Sequence, residues 1–238
     1  MTATMTTFPF LSFPSRPAAE EALAAALEAG VRDAHAEGRR ARIALSGGSS
    51  PEPAYRAFAA KQLDWSKVDI ALVDDRWVDV DQAGSNQAMI QRAFASATGV
   101  TIFGMKLPTS SPKLAEAELD GVYRALRPFD AIVLGMGPDA HTASWFPASP
   151  DLAACLDPQG PATVLGVDAS LAPVAAPYLE RMTVTLPVVS EAQQILILLF
   201  GADKKQILEQ ALDMPVTNAP IKAVIDATGA RCVALWAE

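Results

Sequence analysis

The 238-residue chain has few cysteines and no long apolar run, and both absences exclude classes of protein. Cys155 and Cys232 lack the spacing typical of metal ligands, and one isolated pair does not indicate a disulfide framework. The longest aliphatic run, residues 195–200, is too short to cross a bilayer, and no basic region precedes the apolar residues near the start. We therefore expect a soluble cytoplasmic protein with reduced thiols, no bound metal and no membrane association.

Basic residues are also in short supply. The chain has 19 lysines and arginines against 27 aspartates and glutamates, which gives a net charge of −8. Nucleic acids and anionic membranes attract basic surfaces, so neither is expected as a partner. An anionic small molecule would need a local positive pocket, and individual arginines and lysines are therefore more informative than the total charge.

What the chain does have is apolar residues in a regular arrangement. Half of its residues are hydrophobic, enough for one large core. Short apolar strands alternate with helical segments, which is typical of an α/β fold with a mainly parallel sheet and helices on both faces. We predict a three-layer, Rossmann-like single domain over residues 15–238, preceded by an N-terminal arm or edge strand over residues 1–14. Ser15 is a suitable cap for the first helix, with Pro17 in its first turn.

One apolar run ends in a loop that carries candidate catalytic residues. Residues 132–134 form a short buried strand in this interpretation, and Gly135 and Gly137 then let the backbone turn sharply. Asp139 and His141 follow, and His141 is one of two histidines in the chain. Ligands of open α/β sheets bind beyond the carboxyl ends of strands. The alternative is a tight turn in which His141 only begins a short helix, which would then start near residue 142.

Other strands are followed by polar residues that could hold an anion. A glycine loop precedes a helix start and offers backbone N–H groups; its residues are Ser46, Gly47, Gly48, Ser49 and Ser50. Asp75 and Arg76 follow the strand at 68–73, Arg181 begins an alternating strand, and Lys204 lies in the first turn of a helix. Each segment also has a purely structural alternative. The loop at 46–50 would be a turn without a ligand, and the segment of Asp75 and Arg76 a solvated acidic turn. The threonines of the alternating strand would lie on its solvent-facing side, and Lys204 would face water.

These segments carry a family resemblance. Gly-Met-Gly-Pro-Asp-Ala-His-Thr-Ala-Ser at 135–144 resembles the signature of the 6-phosphogluconolactonases, and the segments at 46–51, 74–78, 85–86 and 201–204 resemble further motifs of that family in the same order. Ser50 replaces a threonine, Asp75 shortens a glutamate, and Asp79 stands where proline is common. Ala140 stands where the family usually has glycine, so we expect a position that does not need a positive φ.

The resemblance implies hydrolysis of 6-phospho-D-glucono-1,5-lactone to 6-phospho-D-gluconate in the oxidative pentose phosphate pathway, without a metal or organic cofactor. His141 would be the general base that activates water, because a neutral imidazole accepts a proton near neutral pH. Asp139 would orient His141 or the sugar hydroxyls. The substrate and its phosphate are assigned to the loop at 46–50, with Asp75, Arg76, Arg181 and Lys204. A serine triad is not expected, because the chain has no Gly-x-Ser-x-Gly motif.

Two alternatives stay open from the sequence. Glucosamine-6-phosphate deaminases look similar at the histidine loop. Their strand-end motif, however, resembles Asp-Glu-Tyr, with a tyrosine in the place of Arg76, and they carry a glutamate where this chain has Phe146. A sensor that binds a sugar phosphate without turnover is the other alternative. The chain is expected to act as a monomer or a homodimer.

Overall fold

The computed structural model describes residues 8–238. Ten strands occur in this part of the chain: β1 (Phe10–Ser12), β2 (Ala41–Leu45), β3 (Val68–Leu72), β4 (Asp74–Arg76), β5 (Thr101–Phe103), β6 (Ala131–Leu134), β7 (Val164–Asp168), β8 (Glu180–Val184), β9 (Gln194–Phe200) and β10 (Cys232–Ala237). The α-helices of the same residues are α1 (Arg16–Ala36), α2 (Glu52–Ala59), α3 (Asn86–Ala93), α4 (Glu116–Leu126), α5 (Leu152–Leu156), α6 (Leu186–Glu191), α7 (Ala202–Ala211) and α8 (Pro220–Thr228).

Seven strands form a parallel sheet in the order β1-β10-β9-β6-β2-β3-β5. The predicted α/β fold with a parallel sheet and flanking helices is confirmed. β6 lies at the centre, and all four of its residues are buried, which explains its unbroken apolar sequence. Because β2, β6 and β9 are parallel neighbours, the loops that follow them meet at one edge of the sheet.

A second sheet of three antiparallel strands, β4-β8-β7, was not predicted. β4 begins one residue after β3 ends, so the sequence showed a single strand followed by an acidic turn. The alternative in which the threonines of and after β8 face solvent is wrong. Thr183 accepts a hydrogen bond from the Ser144 N–H at 3.3 Å, and Thr185 donates one to the Ala162 carbonyl at 2.7 Å. Both side chains are buried.

The N-terminal segments take the positions that local sequence favours. Ser15 caps α1 by accepting from the Ala18 N–H at 3.4 Å, and α1 ends at Ala36. β1 is an edge strand paired with β10. Residues 1–7 of the predicted arm lie outside the described residues, and the division at residue 15 stays a prediction. Within residues 8–238, α1 and the shorter helices do not combine the length and apolarity that a membrane span requires.

The histidine loop differs from expectation in two ways. No helix begins at Thr142; residues 142–145 form a tight turn, in which the Trp145 N–H donates to the Thr142 carbonyl at 3.0 Å. The φ angle of Ala143 is +50° and that of Ala140 is +59°, both in the left-handed region. A left-handed residue interrupts a helix. The expectation that Ala140 avoids positive φ is therefore wrong.

Candidate active site

A cavity of about 370 Å³ opens where the loops after β2, β6 and β9 meet. Most of the residues predicted from the sequence line it: Ser46, Gly47, Gly48, Ser50, Arg76, His141, Arg181 and Lys204. They come from segments far apart in the chain, and the parallel sheet brings their strand ends together. The cavity is thus the place where the polar residues after each strand converge, as expected for this class of fold.

His141 and Asp139 form a close pair at this cavity. The Nδ1 atom of His141 lies 2.5 Å from Oδ1 of Asp139, which also accepts the His141 backbone N–H at 3.3 Å. Burial opposes ionisation of Asp139, but the hydrogen bond and charge of His141 outweigh it and hold the pKa of Asp139 below its ordinary value. His141 lines the cavity, whereas Asp139 lines a separate recess.

The loop backbone fixes this pair. The Gly137 N–H donates to the His141 carbonyl at 2.8 Å, and the Thr142 hydroxyl donates to the Gly135 carbonyl at 2.8 Å. A Cβ atom on Gly137 would lie 2.1 Å from the imidazole ring, so only glycine lets the ring approach so closely. The ring of Phe146 packs against His141 with 4.5 Å between centroids.

Two arginines face each other across the second sheet. Arg76 on β4 pairs in register with Arg181 on β8, and both line the cavity. Arg181 is only 6% exposed; it lies 3.9 Å from the Asp74 carboxylate. Burial lowers the pKa of Arg181, and Arg76 adds to this effect while Asp74 opposes it. Two guanidinium groups at one cavity wall favour an anion between or beside them.

Lys204 supplies a third cation from another side. It lies in the first turn of α7, and its Nζ donates to the Met136 carbonyl of the histidine loop at 2.7 Å. Burial lowers the pKa of Lys204, and the nearby Asp139 carboxylate partly offsets that change. In a chain of net charge −8, the cavity is therefore a local concentration of positive charge.

The glycine loop after β2 forms another wall. The Ser46 N–H donates to the Val133 carbonyl at 3.1 Å, and the Tyr55 hydroxyl donates to the Ser46 carbonyl at 3.0 Å. A Cβ on Gly47 would lie 1.9 Å from Oδ1 of Asn86, so glycine allows this close approach. Ser49 is exposed and does not line the cavity, in contrast to its predicted place in the site.

Asp75, like Ser49 and Asp139, does not line the cavity. It is 1% exposed, and its carboxylate accepts the backbone N–H groups of Arg76 at 2.8 Å, Asn86 at 2.7 Å and Gln87 at 3.1 Å. Burial raises the pKa of Asp75 to about 6, against the effect of those hydrogen bonds. Since its oxygens accept hydrogen bonds from the start of α3, Asp75 anchors that helix.

Several lining residues were not assigned to the site from the sequence. Asp74 lines the cavity, accepts the Ser144 hydroxyl at 2.6 Å, and accepts the Asn86 amide on its backbone carbonyl at 2.9 Å. Asp74 and Asn86 belong to motifs that the sequence shows, but the contact of Asp74 with Ser144 depends on tertiary structure. Phe146, Val174 and the β9 residues Leu198, Leu199 and Phe200 add apolar surface.

Among residues 8–238, the histidine, cysteine and acidic side chains form no group of three or more that could hold a metal ion. Cys155 and Cys232 are both buried and free.

Comparison with known proteins agrees with this geometry. Residues 14–234 match the family model described as glucosamine-6-phosphate isomerases/6-phosphogluconolactonase. The chain belongs to this family. A Mesorhizobium japonicum relative named 6-phosphogluconolactonase is 36% identical over 95% of this chain and 94% of its own length. A Caulobacter vibrioides relative with the same name is 33% identical over 95% and 96%.

Solved structures of the glucosamine-6-phosphate isomerase/6-phosphogluconolactonase family share the fold. A Shewanella baltica 6-phosphogluconolactonase superposes with a TM-score of 0.87 at 32% identity, covering 99% of this chain and 100% of that one. A monomeric glucosamine-6-phosphate deaminase superposes with a TM-score of 0.78 at 13% identity, covering 97% and 98%, which shows a common fold alone.

Proposed function

We propose that this family member hydrolyses 6-phospho-D-glucono-1,5-lactone to 6-phospho-D-gluconate, the lactone step of the oxidative pentose phosphate pathway. The observation that carries the proposal is that His141, hydrogen-bonded to Asp139, lines the same cavity as three cationic side chains, Arg76, Arg181 and Lys204. A base at one wall and cations at the others suit a substrate with an ester-like carbonyl and a distant phosphate. The two bacterial relatives named 6-phosphogluconolactonase support the same choice.

His141 acts as the general base in this proposal. With Nδ1 hydrogen-bonded to Asp139, the imidazole carries its proton on that atom and leaves Nε2 as an acceptor. Nε2 takes a proton from water as the water oxygen bonds to the lactone carbonyl carbon. The tetrahedral intermediate then breaks its bond to the ring oxygen, which receives the proton from His141. The product acid releases its own proton to solvent.

The cations hold the charged parts of the substrate. The cavity-lining residues of the glycine loop, Ser46, Gly47, Gly48 and Ser50, bind the phosphate together with Arg76 and Lys204. Arg181 adds positive charge on the wall shared with Phe146, whose ring lies 5.5 Å from its guanidinium. Asp74 and Asn86 line the cavity, where they form hydrogen bonds with the sugar hydroxyls in this proposal. Subunit number is left open in this proposal, since the cavity is built from one chain.

Phe146 argues against the deaminase alternative. Isomerisation of an amino sugar moves protons between carbons and to the leaving ammonia, which calls for further acid-base groups. The position next to His141 holds a buried aromatic ring instead of a carboxylate. The sensor alternative has no comparable support, since the paired His141 and Asp139 are arranged as a base and its orienting acid.

The test is a hydrolysis assay with the purified protein, in which the spontaneous opening of the lactone is subtracted. Accelerated loss of 6-phosphogluconolactone is expected, with no ammonia released from glucosamine 6-phosphate. Binding without lactone loss would instead support the sensor, and ammonia release that depends on His141 would support the deaminase.

A further inference from the structure

Tyr178 contacts two arginines of the cavity, Arg76 and Arg181. The guanidinium carbon of Arg76 lies 5.6 Å from the centroid of the Tyr178 ring, within the range of a cation–π contact. Arg76 also donates to the Gly84 carbonyl at 2.5 Å. The Tyr178 hydroxyl donates to the adjacent Ala83 carbonyl at 2.6 Å. Arg76 is thus enclosed between an aromatic ring and the loop to which that ring is bonded.

Gly84 makes this arrangement possible. A Cβ atom at this position would lie 2.4 Å from a ring carbon of Tyr178, and the φ angle of Gly84 is +98°. A side chain here would push the ring away from the 83–84 backbone. The Tyr178 ring therefore packs closely against the loop because residue 84 is glycine.

The same residue also holds Arg181, through its backbone. The Nε atom of Arg181 donates to the Tyr178 carbonyl at 2.7 Å, and a terminal nitrogen donates to the Ala175 carbonyl at 3.1 Å. Arg181 and Arg76 are direct neighbours in the β4–β8 pair. Carbonyl groups and an aromatic face hold both guanidinium groups in place without adding a negative charge of their own, and the Asp74 carboxylate lies 3.9 Å from Arg181.

We propose that Tyr178 is a positioning residue that orients Arg76, and through its loop Arg181, for the phosphate-bearing substrate. This inference rests on the proposed function. The tyrosine does not itself touch the reacting atoms. It keeps a flexible arginine in one orientation before the anion arrives, so that less conformational entropy is lost on binding.

The experiment compares Tyr178→Ala and Tyr178→Phe with the parent protein. Two quantities are measured for each: the Kd of 6-phosphogluconate by calorimetry, and KM and kcat for the phosphorylated lactone. Tyr178→Ala should raise Kd and KM by about three- to tenfold, with kcat changed less than about twofold, because a cation–π contact and the loop's anchoring bond are lost. Tyr178→Phe keeps the ring over Arg76, and its Kd should rise by no more than about twofold.

The control is Leu171→Ala, which truncates an exposed side chain of the same loop that does not line the cavity. It should leave Kd unchanged. Thermal unfolding of each variant monitors the fold. In an Arg76→Ala background, the effect of Tyr178→Ala on Kd should shrink to less than about twofold, because contacting residues couple in a double-mutant cycle.

The role of Tyr178 would be overturned by an unchanged Kd in Tyr178→Ala. It would also be overturned if Tyr178→Ala raised Kd by the same factor in the parent and in the Arg76→Ala background. Absence of lactone hydrolysis by the parent would instead refute the proposed function, and the 6-phosphogluconate Kd values would still decide the role of Tyr178. The two failures are therefore distinguishable.

Discussion

His141 Nδ1 lies 2.5 Å from Oδ1 of Asp139, with His141 at the cavity wall and Asp139 at a separate recess. The pair resembles an arrangement in which a carboxylate fixes the tautomer of an imidazole base. The Gly137 backbone leaves room for the ring, and Phe146 packs on it. The orientation of the base is therefore set before substrate binds.

Asp139→Asn should lower kcat by roughly 10²- to 10⁴-fold while the fold is retained. The asparagine amide can donate to Nδ1, which would place the imidazole proton on Nε2 and remove the acceptor that faces the cavity. Steady-state kinetics on the phosphorylated lactone measure the change. Asp213→Asn, at an exposed position, is the matched control. Parent-like kcat in Asp139→Asn would show that the carboxylate does not orient the base.

Arg76→Ala should selectively weaken the binding of the phosphorylated lactone. A lost charge-assisted contact is worth roughly 1.5 to 3 kcal/mol, which corresponds to about a 10- to 150-fold rise in KM. Turnover of unphosphorylated gluconolactone, where it is accepted, should change little. Arg92→Ala removes the same charge from an exposed position of α3 and serves as the control. Equal losses on the two substrates would mean that Arg76 acts in the chemical step or in folding.

Lys204 should make anion binding sensitive to alkaline pH. Burial lowers the pKa of Lys204, with partial compensation by Asp139. Its positive charge is present below that lowered pKa and is lost as the pH rises through it, earlier than for an ordinary lysine of pKa about 10.4. The affinity for 6-phosphogluconate should therefore fall as the pH rises toward the ordinary lysine pKa, over a range where the phosphate charge is constant.

Lys204→Arg is the variant that isolates this effect, since a guanidinium stays protonated throughout the range. Calorimetric titrations at several pH values should show a flatter profile for Lys204→Arg than for the parent. Parallel profiles for the two proteins would assign the pH dependence to another group.

Ala140→Gly should stabilise the protein. Ala140 has a φ of +59°, and a left-handed conformation costs an L-residue roughly 1–2 kcal/mol. Glycine avoids this cost, but part of the gain in stability is lost because glycine makes the unfolded chain more flexible. We expect a net gain of about 1 kcal/mol, or a melting temperature about 2–4 °C higher. Ala26→Gly, in the middle of α1, should have the opposite sign. A lower melting temperature for Ala140→Gly would show that its backbone is not strained.

The residues explain which features the sequence predicts. His141 and Lys204 each follow a largely apolar strand, and Arg76 follows the strand at 68–73, which is apolar except for Asp69. Parallel strands bring such positions to one edge. Their convergence could therefore be anticipated without coordinates. The roles assigned to these residues stay predictions until variants are measured.

Other features depend on pairing between distant segments. β4 has only three residues, and Asp74 pairs with Thr183, more than 100 positions later. No local pattern distinguishes such a strand from an acidic turn. Asp75 was assigned to the substrate from the family resemblance of its motif, but successive residues of a strand point to opposite faces. That alternation directs Arg76 to the cavity and Asp75 to the start of α3.

The most direct test of the central claim is the rate of 6-phosphogluconolactone hydrolysis by the parent and by His141→Asn at equal concentration, with the spontaneous rate subtracted and circular dichroism used to check the fold. The parent should accelerate the reaction, and the variant should lose about 10²- to 10⁴-fold in kcat, because asparagine cannot accept the proton from water. A folded His141→Asn protein that hydrolyses the lactone at the parent rate would contradict the assignment of His141 as the base.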